Sequence, residues 1–136
     1  MPRDLEQYHD YWLASDRMKS VLETVDPDGF AFLACEVRFP DGQRGPTYWL
    51  CDVVRVLDAL DETRSRVKII FSKHTGRNHY DIVGGAELVF REDVIGDAHA
   101  FRLFPLEPAV FCDQQVRDAC KMAGLKGVQF ADALKL

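Results

Sequence analysis

The sequence predicts an α+β fold, a mostly antiparallel sheet carrying two short helices, one from each of two similar strand–helix–strand units at the chain ends. Three observations lead there. Segments 16–25 and 114–122 place apolar residues at helical spacing behind a capping residue, Ser15 and Asp113. The rest of the chain is short apolar runs separated by Gly, Pro, Asp and Asn, the pattern of strands and turns. Finally, 136 residues with 47% apolar and 29% charged side chains suit one globular domain spanning 1–136. A chain of this mass folds from roughly 22,500 Å² of surface to roughly 7,200 Å², enough to build a core without disulfide or metal staples.

The elements follow in order. Residues 1–10 are polar and are expected to be frayed or weakly helical. Tyr11–Ala14 reads as a short strand. Ser15 then caps a helix over 16–25 whose Met18, Val21, Leu22 and Val25 form one buried stripe. Asp26-Pro27-Asp28-Gly29 stops that helix with turn chemistry. Phe30–Arg38 is strand-like, and residues 40–46 form a loop. Thr47–Leu57 is apolar on both parities, so it is expected to be one strand at the middle of the fold. Asp58–Ser65 is a polar turn, Val67–Phe71 a strand and Ser72–Asn78 a polar loop. Short strands are expected at 82–83, 87–90, 101–104 and 109–112. Asp113 caps the helix over 114–122, with Val116, Ala119 and Cys120 inward and Gly124 just past its end. Val128–Phe130 closes the chain as a strand.

The two ends match each other without a gap at an offset of 98 residues. Leu13-Ala14-Ser15 aligns with Phe111-Cys112-Asp113, Met18 with Val116, Leu22 with Cys120, Gly29 with Gly127 and Phe32 with Phe130. If this is a repeat, the two helices are expected on one face of a common sheet; coincidence between two ordinary strand–helix–strand units is the alternative.

Net charge is −5, which disfavours general nucleic-acid binding and suits a basic protein partner or simple solubility. No apolar run is long enough to span a membrane, and Met1–Asp10 lacks the apolar stretch of a secretory signal, so a cytoplasmic protein is expected. Cys35, Cys51, Cys112 and Cys120 lack metal-site or redox spacing and read as buried free thiols. No metal or cofactor is expected. There is no nucleophile elbow, phosphate loop or zinc-protease motif, and an enzyme is not expected.

Two polar clusters remain as candidate contact surfaces. Asp58, Asp61 and Glu62 follow the long apolar run, and neighbours on one turn suit a charged contact surface better than general acid–base work. Lys73, His74 and Arg77 lie in the loop 72–79, which reads as a solvated hairpin or an anion contact. Asp52 and Arg55 interrupt the apolar run on opposite faces; each either pairs with a neighbour or marks a docking edge. A small-molecule or regulatory module would use a pocket near Trp49, Arg55 and His74–His79.

The run from Tyr48 to Ser65 resembles the central motif of a bacterial family, immunity protein family eleven, also called domain of unknown function sixteen-twenty-nine. The Asp-Ala-Leu-Asp of residues 58–61 matches that motif, with Asp52 standing where the family often has Asn. Ala100-Phe101-Arg102-Leu103 is similar to its later strand, and Phe111–Phe130 to its closing helix and glycines. The resemblance covers about residues 11 to 131. It implies an α+β protein that binds and neutralises a cognate toxin of a polymorphic-toxin system, often a nuclease, with no catalytic residues to transfer. Homo-oligomeric state is not implied either way.

Overall fold

A computed structural model describes residues 3–136, the side chains of Glu107 and Pro108 excepted. The element order is β1 (Leu5–Tyr8), β2 (Tyr11–Ser15), α1 (Asp16–Val25), β3 (Phe30–Cys35), β4 (Tyr48–Val53), β5 (Val56–Leu57), β6 (Lys68–Ser72) and β7 (Arg77–Asp81). Then come α2 (Glu92–Ile95), β8 (Ala100–Leu103), β9 (Leu106–Cys112), α3 (Gln114–Met122) and a final 3-10 turn, Ala133–Lys135. The α+β expectation holds, but the strands fall into three sheets rather than one. Their orders are β1-β2-β4-β3, β5-β8-β9 and β6-β7. All pairings are antiparallel except the short parallel contact of β5 with β8.

Both helices start and end where the sequence places them. The Ser15 hydroxyl accepts the Met18 N–H and Asp113 Oδ1 accepts the Val116 N–H, so each cap satisfies an orphan amide of the first turn. Met18 and Leu22 of α1, and Val116 and Cys120 of α3, enter one apolar core with Ala14, Phe30, Cys51, Val53 and Ala100. The two helices pack on each other, but β2 and β9, which lead into them, lie in different sheets. The expected common sheet is therefore absent. Its second closing strand is absent too: 128–130 is irregular, and Gly127 turns the chain at φ +87°.

The long apolar run is two strands, not one. Residues Tyr48–Val53 form the inner strand β4 of the first sheet, flanked by β2 and β3, and Val56–Leu57 leave it to join β8 in the second. Cys51 and Val53 serve the first core and Leu57 packs on a second one, whereas Val54 and Val56, of the other parity, are 49% and 47% exposed at the step between them. That second core holds Ala59, Leu60, Ala86, Leu88, Phe101 and Leu103. Strand β8 touches both, since Ala100 belongs to the first and Phe101 and Leu103 to the second. Phe90, Phe101 and Phe111 meet there at ring separations of 5.0 to 6.0 Å.

The amino-terminal stretch is a strand rather than a frayed arm, residues 1–2 lying outside the described region. Polar atoms hold it. Asp4 accepts the Ser15 hydroxyl at 2.6 Å, the Lys126 N–H at 2.7 Å and the Arg17 guanidinium at 3.1 Å. The Leu5 N–H donates to the Lys126 carbonyl, and the Tyr48 hydroxyl to the Arg3 carbonyl at 2.6 Å. Four further expectations change. The pair 82–83 is a turn leaving Val83 88% exposed; 87–90 makes only isolated bridges, at Glu87 and Phe90; the expected loop 72–78 is shorter, since Ser72 ends β6 and Arg77 begins the paired strand β7; and α2 is an added helix. The total exposed surface is 8823 Å². It exceeds the roughly 7,200 Å² of a compact chain this size.

Candidate functional site

Arg55 and Asp52, the two charges inside the apolar run, are both paired. Arg55 reaches the Asp26 carboxylate at 2.5 and 3.0 Å, and its Nη1 also donates to the Ala100 carbonyl. Asp26 is the buried carboxylate of the described residues, its side chain 5% exposed, and it also accepts the N–H groups of His99 and Ala100 at 2.9 and 3.1 Å. Burial alone would raise the Asp26 carboxyl; the Arg55 hydrogen bonds and the two backbone donors outweigh it and hold it below the usual carboxylate range. Sequence reasoning took Asp26 for a turn residue. Its companion signal was Arg55, a cation in an apolar strand that needs a partner.

Asp52 accepts Arg102 at 3.2 Å, and the same guanidinium donates to the carbonyls of Val53 and Asp10. Residues of the two motif segments thus meet at the step between the sheets. The Val53 carbonyl ends β4, and the backbone of Arg102 bonds the Arg55 carbonyl just before β5. These charges fasten the crossover.

The acidic turn and the basic hairpin come together. Both Glu62 oxygens face β7, taking the Tyr80 hydroxyl at 2.7 Å and the Asn78 amide at 3.2 to 3.4 Å. Burial, with the hydrogen bond to Glu62 second and that carboxylate's charge third, drives the Tyr80 hydroxyl well above its ordinary range, so it donates at any working pH. Asp61 Oδ1 accepts the Arg64 N–H, which shapes the turn, while Asp58 is exposed. Arg77, next to Asn78, lies 4.5 Å over the Phe104 ring. Lys73 and His74 sit exposed at the hairpin tip, and Thr75 bonds His79 at 2.8 Å across it. Of the six candidates all but Asp61 are exposed; Asp61, Glu62 and Arg77 already have intramolecular tasks, which leaves Asp58, Lys73 and His74.

The alternative pocket is not assembled. The Trp49 indole donates to Asp16 at 2.6 Å and stacks with Lys19 of α1, and Arg55 serves Asp26, while His74 and His79 belong to the ribbon β6–β7. A hollow of about 660 Å³ lies between Phe90, Phe130 and α3, but two of its carboxylates are occupied as caps, Asp113 for α3 and Asp132 for the last turn. Among the described residues, no group of three or more His, Cys, Asp or Glu is arranged to hold a metal ion. The four cysteines are free thiols, but only Cys51 and Cys120 are buried; Cys35 is half-buried and Cys112 exposed, because each ends a strand at a sheet margin. No described helix is long and apolar enough to cross a membrane.

No curated protein matches the chain. A family model does, over residues 1–135, which is nearly every residue and includes both motif segments fastened by Arg55 and Arg102. Its description is "Immunity protein family (Imm11)", and the chain belongs to that family.

Proposed function

We propose that this protein neutralises one cognate bacterial toxin by stoichiometric binding, covering the toxin's working surface rather than altering it chemically. Membership of an immunity family carries the reading. The surface supports it: carboxylates of the turn 58–62 and cations of the hairpin tip lie side by side, linked through Glu62 and β7. With a net charge of −5, the larger part of the molecule suits a toxin whose surface is basic, as that of a nuclease is, since an enzyme that grips phosphates presents cations. Asp58, Asp61 and Glu62 are the first contact candidates, with Lys73, His74 and Arg77 second. Asp58, Lys73 and His74, exposed and outside the internal contacts that hold Asp61, Glu62 and Arg77, can reach a partner without first breaking a bond.

The test is co-expression in the cytoplasm with the product of the reading frame next to this chain's own, one that is toxic when expressed alone. Growth should be restored, and the two chains should co-purify one to one. Asp58→Lys should slow association at low salt and flatten its salt dependence, because it removes part of the charge attraction that salt screens. Persistent toxicity together with no co-purification refutes the proposal.

A further inference from the structure

Strand β6 is unusual among the strands of this fold. It pairs with β7 along one edge only, and its three central side chains are exposed apolar groups, Ile69 at 40%, Ile70 at 47% and Phe71 at 61%. A free edge of this kind presents unpaired backbone donors and acceptors, the template for adding a strand from another chain. Strand β3 is also an outer strand and also apolar, with Leu33 66% exposed. It carries no charge from Phe30 to Cys35, so nothing on it selects one partner over another.

The setting of β6 does select. From Thr63 to Tyr80 the sequence holds Arg64, Arg66, Lys68, Lys73 and Arg77 and not one carboxylate, in a chain that is otherwise strongly acidic. Near its start this charge is offset, since Arg66 pairs with Glu87 at 3.4 Å and Lys68 lies across from Asp81. At the tip it is not offset by a carboxylate of the hairpin, where Lys73 and His74 are exposed and Arg77 rests on Phe104. A second copy of this chain is the poorer occupant: antiparallel pairing of β6 with itself about Ile70 brings Lys73 of each copy beside Lys68 of the other, like charges that oppose association.

We infer that the free edge of β6 takes up an extended strand of the toxin whose end nearest the hairpin tip is acidic. Backbone hydrogen bonds supply the pairing, Ile69, Ile70 and Phe71 supply the apolar contact, and Lys73 with His74 fixes direction and register. The inference rests on the toxin-binding reading above and names the chemistry of that partner.

Two measurements test it. In the first, the full chain is titrated with the synthetic peptide Glu-Asp-Val-Thr-Ile-Thr-Val-Thr-Lys, and with the same peptide carrying Lys-Lys in place of Glu-Asp. Backbone amide shifts are followed by NMR. The acidic peptide should perturb residues 68–72, and Lys73→Glu should weaken it roughly tenfold, the scale of reversing one interfacial charge. Perturbation confined to β3, equal binding of both peptides, no perturbation, or self-association through β6 would each overturn the inference. In the second, Lys73→Glu and Phe71→Lys are tested for growth rescue beside the unaltered chain. Loss of rescue with unchanged thermal stability supports it. Full rescue by both variants overturns it while leaving the immunity reading intact. If the unaltered chain fails to rescue although the acidic peptide binds β6, the immunity reading fails and strand docking stands.

Discussion

Replacing Asp26 by Asn tests whether the buried carboxylate joins the two cores. The four groups around it are all donors: two guanidinium nitrogens of Arg55 and the backbone N–H groups of His99 and Ala100. Asn offers one acceptor oxygen and one NH₂. With its oxygen in the place of Oδ2, which takes three of the four bonds, its NH₂ faces Arg55 Nη2, donor against donor. The change also strands a cation that is only 21% exposed. Breaking a buried pair costs about 3–5 kcal/mol, and the partial exposure of Arg55 puts the expected loss near the lower limit, about 3 kcal/mol. For a chain of this length that lowers the Tm by about 10 °C. Urea and thermal unfolding measure both. Arg55→Met removes the stranded cation, so the double variant should be more stable than the sum of the singles by about 1 kcal/mol or more.

The pH dependence has a definite sign. The folded carboxyl lies below its unfolded value, so its stabilisation is complete above the unfolded value of about 4 and is lost as pH falls through the folded one. The gap between the unaltered protein and Asp26→Asn should therefore narrow in acid. A loss below about 1 kcal/mol, strict additivity with Arg55→Met, or a gap that widens in acid would refute the reasoning.

Other sites give independent expectations. A Cβ at Gly127 would lie 2.5 Å from the Leu5 carbonyl, at a φ of +87°. Gly127→Ala should therefore cost about 2 kcal/mol or more, with the Leu5 amide exchanging hydrogen before the core does. Arg102→Met orphans the Val53 carbonyl and frees Asp52 and Asp10; a loss of about 2 kcal/mol in urea unfolding is expected. Burial first, and the charge of Asp52 second, push the Cys51 thiol up to about 12. Maleimide at mildly alkaline pH should consequently leave Cys51 unmodified, by mass spectrometry of digests, until the chain is unfolded. Glu62→Gln keeps one acceptor for the Tyr80 hydroxyl and should alter stability by less than about 1 kcal/mol.

Helices α1 and α3 were legible to the residue, because a cap hydroxyl or carboxylate followed by apolar residues at helical spacing is a local signal, complete within one segment. The family was legible too, since its motifs are contiguous. Strand β1 was not: Leu5–Tyr8 is polar in composition, and its support comes from Lys126 and Ser15, distant in sequence. The candidate surface was half legible. Charge patterning picked out Asp58 and Lys73, but it gave no sign that Glu62 is bound to Asn78 and Tyr80 or that Arg77 lies on Phe104.

By itself the sequence determined where α1 and α3 begin and end, though not the short α2, and that the chain is an α+β member of an immunity family, since each depends on short-range chemistry or on linear motifs. Tertiary structure alone decided that Thr47–Leu57 breaks between two sheets and that β2 and β9 part company. It also decided that Asp26, a turn residue in the linear reading, becomes the buried acceptor joining Arg55 to β8. The physical reason is that apolarity tells a residue to be buried but not against which neighbour. The neighbour is chosen by long-range hydrogen bonds and ion pairs whose partners lie up to 122 positions apart.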